Sequence, residues 1–189
     1  MKLKNASRYD EIEQEVADLY EECTNAVSLP LDLLIICKIN HYILKPYSSL
    51  SRDELEDALD ESEDGFTKII EVNGVFRYCI FYNDSLCDAR IRFTIAHEIG
   101  HIRLGHLDEN ILPYKIAEAE ANYFAKYLLS PHPVSNKLQL ASPAEFAETY
   151  HISNQAAEYT FTSYRKRIMY GSCYFEDHEV TILEAFGMV

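Results

Sequence analysis

Residues 90–101 read Arg-Ile-Arg-Phe-Thr-Ile-Ala-His-Glu-Ile-Gly-His, and they contain an HExxH pattern formed by His97, Glu98 and His101. Two histidines four residues apart lie on the same face of a helix, so their ring nitrogens can bind one small cation. The glutamate between them projects toward the same side and can reach a water bound to that cation. The pattern is typical of zinc metallopeptidases, which use two imidazole ligands and a carboxylate base.

The residues around the motif predict the helix that this arrangement needs. Asp84 and Ser85 are candidates for its N-terminal cap, and Gly105 is a candidate for its C-terminal end. Between the histidines, Gly100 is a small residue that suits a crowded metal site. Isoleucines recur at helical spacing and form an apolar stripe, at Ile91, Ile95, Ile99 and Ile102.

A catalytic zinc site needs a third protein ligand and an open position for water. The extended pattern HExxHxxGxxH does not supply that ligand here, because Leu104 and Leu107 occupy its glycine and histidine positions. His106 is one residue short of the pattern. We interpret it as a histidine at the helix end or at the rim of the site.

A second helix, predicted from Tyr114 to Pro131, offers a better third ligand. Two helices joined by a short loop normally pack antiparallel, so its first turns return toward the histidines. Glu118 and Glu120 are the carboxylates within reach, but successive helix residues point about 100° apart, so the two cannot face one metal together. We choose Glu118 as the ligand, with Asn122 one turn later as its partner. Glu120 is predicted to face solvent.

The two segments together resemble the ImmA/IrrE family of metallo-endopeptidases. The matching runs are RxRFTxAHExGH at 90–101 and ExEANxFAxxLLxP at 118–131. The resemblance implies a gluzincin-like site in which Zn2+ is bound by His97, His101 and Glu118, with Glu98 as the catalytic base. It also implies a protein substrate, a helix-turn-helix transcriptional repressor of the kind often encoded nearby on a phage or other mobile element.

The remaining segments predict an α+β fold, in which a small β-sheet carries the two motif helices and a small helical C-terminal part follows. We predict a metallopeptidase domain at 1–134 and a helical part at 135–189 packed on it. Asn73-Gly74 is a strong hairpin signal, and Ser51 and Glu54 form a predicted capping box. The predicted helices are 9–23, 31–40, 51–59, 142–150 and 153–170; the strands are 42–45, 66–72 and 75–82; 60–64 is a loop; and 180–186 is a helix or a strand.

The helices predicted at 142–150 and 153–170 resemble a helix-turn-helix unit, which raises the possibility of DNA binding. Three glutamates in this unit offset its three basic residues, Arg165, Lys166 and Arg167. The basic triplet lies late in the second helix, whereas base-reading residues usually lie at its start. We therefore favour packing, or holding the substrate repressor, over DNA reading.

Composition narrows the possible partners and the compartment. The 189 residues carry a formal net charge of −14, which disfavours nucleic acid and anionic membranes and favours basic partners.

Five cysteines without a CxxC pair indicate reduced thiols, of which Cys37 and Cys79 are expected in the core. The N-terminus shows no signal peptide, and the longest apolar stretch, 33–37, is too short to span a bilayer. We expect a cytoplasmic protein.

Two other functions remain open at this point. One is a non-catalytic, zinc-containing regulatory protein that binds a repressor without turnover, and the other is a DNA-binding regulator. Glu98 argues against the first, since a pure binding site needs no base. The residue that would stabilise an oxyanion is not identified by the sequence; Tyr114 is near the site in sequence, but a bulky loop residue is an equally good interpretation.

Overall fold

A computed structural model describes residues 7–107, 112–171 and 174–189. In these ranges the chain is a mixed α+β fold, as predicted. The strands are β1 (Ile43–Pro46), β2 (Gly65–Val72) and β3 (Val75–Tyr82). The helices are α1 (Arg8–Glu22), α2 (Leu33–Ile39), α3 (Arg52–Glu61), α4 (Asp88–Arg103), α5 (Tyr114–Leu129), α6 (His132–Lys137), α7 (Pro143–Tyr150), α8 (Asn154–Tyr170) and α9 (Asp177–Ala185).

The described strands form one sheet with the order β1-β3-β2. β1 runs parallel to β3, whereas β2 and β3 form an antiparallel hairpin in which Gly65 lies opposite Tyr82. Asn73 and Gly74 form its turn with φ of 53° and 78°. Two consecutive positive φ values are required in a tight hairpin turn of this hand, which explains the Asn-Gly pair. The hairpin prediction is confirmed, and β2 is left as a terminal strand beside α4.

The start of β2 approaches α4 closely. A Cβ atom at Gly65 would lie 2.6 Å from Thr94 Cγ2 and 2.6 Å from the carbonyl oxygen of Phe81. Glycine is therefore needed here for close approach of strand to helix. Next to it, the Asp64 carboxylate forms an ion pair with Arg90, which lies in the first turn of α4. Arg90 Nε and Asp64 Oδ1 are 2.7 Å apart. These contacts hold the start of β2 against the helix that carries the HExxH motif.

Gly100 brings α4 and α5 together. A Cβ atom at this position would lie 3.0 Å from Cδ1 and 3.2 Å from Cβ of Phe124, which is completely buried. Gly100 therefore serves the contact between the two helices. The sequence-based reason for it, crowding at the metal, was wrong, because this face of α4 is turned toward Phe124 on α5.

The C-terminal helices share a core with the N-terminal helix. One cluster of buried side chains includes Ile12 on α1, Phe146 on α7 and Ile182 on α9. α9 packs against α1, where His178 Nε2 lies 2.9 Å from Glu13 Oε2. The division of the chain at residue 134 stays a prediction.

Several local predictions are confirmed. The Ser51 and Glu54 capping box opens α3, and Gly105, with φ of 73°, follows the end of α4. The segment predicted as a helix or a strand at 180–186 lies within and just beyond α9. Cys37 and Cys79 are buried free thiols, and Cys173 lies outside the described residues.

Two local predictions were wrong. The predicted N-cap residues of the motif helix, Asp84 and Ser85, do not cap it, since α4 begins after Cys87. Asp84 instead accepts hydrogen bonds from the backbone N–H and the hydroxyl of Ser48, at 2.9 and 2.5 Å. The predicted loop at 60–64 is partly helical, because α3 continues to Glu61. In the part of the chain that the structure describes, no helix is long and apolar enough to cross a membrane.

Candidate metal centre

Three side chains converge between α4 and α5. His97 Nε2 and His101 Nε2 are 3.0 Å apart, and the Glu118 carboxylate lies 3.2 Å from His101 and 3.5 Å from His97. Ligands placed tetrahedrally about 2.0–2.1 Å from a zinc ion are about 3.3 Å from one another, so the three donors have the spacing of a single metal site. Among residues 7–107, 112–171 and 174–189, no other group of three His, Cys, Asp or Glu side chains has comparable geometry.

The electrostatics of the cluster also fit a cation. Burial lowers the pKa of His97 to about 4, against an opposing effect of the Asn122 side chain, and burial beside His97 and His106 lowers the pKa of His101 to about 3. Both rings are thus neutral near pH 7, which is the form that binds metals. Two unprotonated nitrogens 3.0 Å apart repel unless a proton or a cation lies between them. The carboxylate that faces both rings favours a cation.

Glu98 lies beside the cluster and is only 7% exposed. Thr67 on β2 donates a hydrogen bond of 2.8 Å to its Oε2 atom. Burial raises the pKa of Glu98 to about 7; the hydrogen bond from Thr67 opposes this shift, and the charge of Glu118 adds to it. A carboxyl group with such a pKa can both accept and release a proton near neutrality, as a general base and acid must.

The cluster lies in an open cleft of about 420 Å³, which we call the metal cleft. Its walls come from the end of α3, the start of β2, α4 and the first half of α5. Asn122 and the exposed ring of Tyr114 also line it. Four carboxylates line the same space: Glu61, Asp64, Glu98 and Glu118. Two of these carboxylates are paired with cations, Asp64 with Arg90 and Glu61 with Lys68, so Glu98 and Glu118 are the acids left to act on a bound metal and its water.

Glu120 is not directed toward solvent, and that prediction was wrong. The residue is 8% exposed and accepts hydrogen bonds from Arg8 Nε and Nη2, at 2.9 and 2.7 Å. Its Oε2 atom also lies 3.1 Å from His106 Nε2. The prediction considered only the packing of α5 against α4. In the structure α1 covers the other side of α5 and brings Arg8 to Glu120, although the two residues are 112 positions apart in sequence.

His106 lies just beyond the end of α4, as one of the two interpretations predicted, but it does not line the metal cleft. Its side chain is completely buried, and its Nδ1 atom lies 3.3 Å from Nδ1 of His101. It therefore contacts a proposed ligand on the side away from the metal cleft. Sequence reasoning noted His106 as a histidine near the motif but could not assign this contact, because the contact depends on how the chain turns after Gly105.

The arginines of the first motif hold the fold around the site. Arg92 donates to the backbone carbonyls of Leu31 and Tyr150, at 3.0 and 3.4 Å. It thereby ties α4 to the segment before α2 and to the end of α7. Together with the Arg90–Asp64 ion pair, these contacts explain why arginine occurs at both positions of the motif.

A family model described as the IrrE N-terminal-like domain, a peptidase family, matches residues 51–162, which is more than half of the 189-residue chain. The chain belongs to this family. The match confirms the resemblance to ImmA/IrrE proteins, and the IrrE-like region includes His97, Glu98, His101 and Glu118. Helix α1, which supplies Arg8, lies outside it. No curated protein sequence matches the chain.

Proposed function

We propose that the protein is a zinc-dependent endopeptidase in which His97, His101 and Glu118 bind the metal and Glu98 is the catalytic base. The observation that carries the proposal is the convergence of two facing imidazoles and a carboxylate at 3.0–3.5 Å, with a second, buried carboxylate beside them. Membership of a peptidase family supports the same function.

The donor set favours zinc over other metals. Two neutral imidazoles and one carboxylate form the three-ligand set of catalytic zinc sites, whereas magnesium and calcium prefer oxygen ligands throughout. A zinc ion in this position supplies Lewis acidity, which makes a water more acidic and polarises a peptide carbonyl. His97 and His101 can serve as ligands because burial keeps their rings neutral.

Glu98 moves the proton in the proposed hydrolysis. A water oxygen adds to the scissile carbonyl carbon while the Glu98 carboxylate accepts a proton from that water. The C–N bond then breaks, and Glu98 returns the proton to the departing amine nitrogen, so the products are a carboxyl group and an amine. The hydrogen bond from Thr67 fixes one carboxylate oxygen and leaves the other free for this transfer.

The terminal strand β2 provides a way to hold a polypeptide. Gly65 and Phe66, at its start, line the metal cleft, and the next residue, Thr67, contacts Glu98. A substrate segment that adds to this edge of the sheet in extended form would pass over the proposed metal ligands. Because the cleft is open, such a segment can continue in both directions, as cleavage within a chain requires.

We infer a helix-turn-helix repressor as the substrate. The resemblance to ImmA/IrrE proteins motivates this assignment, and the net charge of −14 is compatible with a basic, DNA-binding partner. An endopeptidase of this kind must be selective in order to spare other proteins. The helices after Pro133 are the proposed site of repressor contact, since they lie outside the two motifs.

The proposal is tested by comparing wild type with Glu98→Gln in cells of the native host, with new protein N-termini identified by labelling and mass spectrometry. Glutamine is nearly isosteric with glutamate but cannot accept the proton. We expect a new N-terminus within a helix-turn-helix protein in wild-type cells and none with Glu98→Gln, while both purified proteins bind zinc equally.

Other outcomes of this comparison contradict specific parts of the proposal. Equal cleavage by both proteins would exclude Glu98 as the base. Cleavage of many unrelated proteins would exclude a dedicated repressor substrate. Binding of a repressor by zinc-loaded wild-type protein, with no cleavage, would favour the non-catalytic regulatory protein considered above.

A further inference from the structure

We propose that His106, Glu120 and Arg8 form a positioning chain that holds His101 in the orientation and tautomer needed to bind a metal. The inference rests on the proposed function, because it takes His101 Nε2 as a ligand. The chain runs from His101 Nδ1 to His106 Nδ1 at 3.3 Å, from His106 Nε2 to Glu120 Oε2 at 3.1 Å, and from Glu120 to two nitrogens of Arg8 at 2.9 and 2.7 Å.

Only one placement of protons satisfies the chain when His101 binds a metal. His101 Nε2 must then be unprotonated, so the neutral ring carries its hydrogen on Nδ1 and donates it to His106 Nδ1. His106 consequently carries its own hydrogen on Nε2, which points at the Glu120 carboxylate. Each N–H has an acceptor, and the chain ends on an arginine that is always charged.

The far end of the chain is firmly anchored. The guanidinium of Arg8 donates to both oxygens of Glu120, and such paired hydrogen bonds fix a carboxylate in direction as well as in position. Glu120 is itself 8% exposed, and the His106 side chain between it and His101 is completely buried. Both groups are therefore enclosed by protein, and little solvent reaches them to compete for their hydrogen bonds.

The contact geometry distinguishes a positioning role from a purely structural ion pair. Arg8 and Glu120 alone would join α1 to α5 and would require no histidine. His106 instead extends their contact to a ring nitrogen of His101, on the side opposite the proposed metal. Groups that hold a metal-binding histidine in this way typically change metal affinity by about 10- to 100-fold.

The chain can be tested first without any metal. In a long-range 1H–15N spectrum of the metal-free protein, His101 should carry its hydrogen on Nδ1, and His106→Phe should abolish this preference. A His101 ring protonated on Nε2 would overturn the positioning chain. Because this measurement needs no zinc, it separates the chain from the proposed function. A protein that fails to bind zinc but shows the Nδ1 tautomer would contradict the peptidase proposal and support the chain.

Zinc affinity, measured by competition with a chelator, provides the second test. We expect affinity to fall about 10- to 100-fold in His106→Phe and about 10-fold in Glu120→Gln. His132→Phe, which replaces a half-buried histidine away from the cleft, and Glu11→Gln, which removes the exposed partner of Arg8, should stay within twofold of wild type. An affinity within twofold of wild type for folded His106→Phe would overturn the proposal.

A double variant tests whether the residues act in series. If Glu120 acts through His106, His106→Phe with Glu120→Gln should bind zinc no more weakly than His106→Phe alone. Additive losses would show that Glu120 affects the site independently, and the chain would be wrong. The visible spectrum of the cobalt-substituted protein gives a further readout, since a change in ligand geometry alters it whereas a loss of fold stability alone does not.

Discussion

Thr67 on the terminal strand β2 donates a hydrogen bond of 2.8 Å to Glu98 on α4. The contact joins the sheet to the proposed catalytic base across 31 positions of sequence. The hydrogen bond fixes one oxygen of the buried Glu98 carboxylate, which could otherwise adopt several rotamers. The sheet therefore has a direct part in arranging the proposed chemistry, in addition to supporting the helix.

Replacement of Thr67 with valine should slow the reaction without removing the metal. Valine keeps the branched shape but cannot donate to Glu98, so the carboxylate loses its fixed direction. We expect kcat to fall about 10-fold with zinc content unchanged, as measured on the protein that the Glu98→Gln comparison identifies as the substrate. Thr162→Val on α8, whose hydroxyl donates to the Glu158 carbonyl, is the matched control. Unchanged kcat in Thr67→Val would contradict a role for this hydrogen bond.

Gly100→Ala should destabilise the protein even though alanine favours helices. The helical preference contributes up to about 1 kcal/mol in its favour. The new methyl group, however, meets the buried ring of Phe124 at 3.0 Å, and overpacking of this kind costs about 1–3 kcal/mol. We therefore expect a net loss of about 1 kcal/mol in the free energy of unfolding.

A second substitution identifies the cause. If the Phe124 ring is the obstacle, Gly100→Ala should cost less in a Phe124→Leu background than in wild type. Chemical denaturation of the four proteins measures this difference. A stabilising effect of Gly100→Ala in wild type, or an equal cost in both backgrounds, would show that the helices do not depend on glycine at their contact.

The pair between His178 and Glu13 should make stability depend on pH. Burial lowers the pKa of His178, but the hydrogen bond that His178 donates to Glu13 and the charges of Glu13, Glu179 and Glu176 outweigh this effect, so the pKa is raised. A raised pKa in the folded protein stabilises it fully below the ordinary value of about 6.5, and this contribution is lost as pH rises through the folded value.

We therefore expect His178→Gln to destabilise the protein more at pH 5.5 than at pH 8.5. Denaturant titrations of both proteins, with the metal content kept equal, measure the two differences in the free energy of unfolding. A cost that is the same at both pH values, or larger at pH 8.5, would mean that the charged form of His178 does not contribute to the contact between α1 and α9.

The sequence predicts best the features that depend on neighbouring residues. The spacing of His97 and His101 within one helix brings them together, and the Asn73-Gly74 pair produces a tight turn by its own backbone preference. The choice of Glu118 needed one assumption about packing, that two helices joined by a short loop return on each other. The structure places Glu118 beside both histidines.

Predictions failed where a distant segment decides the environment. Glu120 was predicted to face solvent because it falls nearly opposite Glu118 on the helix, yet Arg8 on α1 covers it. Asp84 has a side chain that commonly caps helices, but it instead accepts hydrogen bonds from the backbone N–H and the hydroxyl of Ser48. Thr67 carries no motif that would mark it as a contact of the base. Such contacts follow from tertiary packing, which periodicity and capping patterns do not encode.

The central claim is that His97, His101 and Glu118 form one metal site, and the zinc content of the purified protein tests it most directly. After loading with zinc and dialysis, wild type should retain about one zinc per chain, and folded His97→Ala/His101→Ala should retain none. Wild-type protein that holds no zinc, or a double variant that holds as much as wild type, would contradict the account.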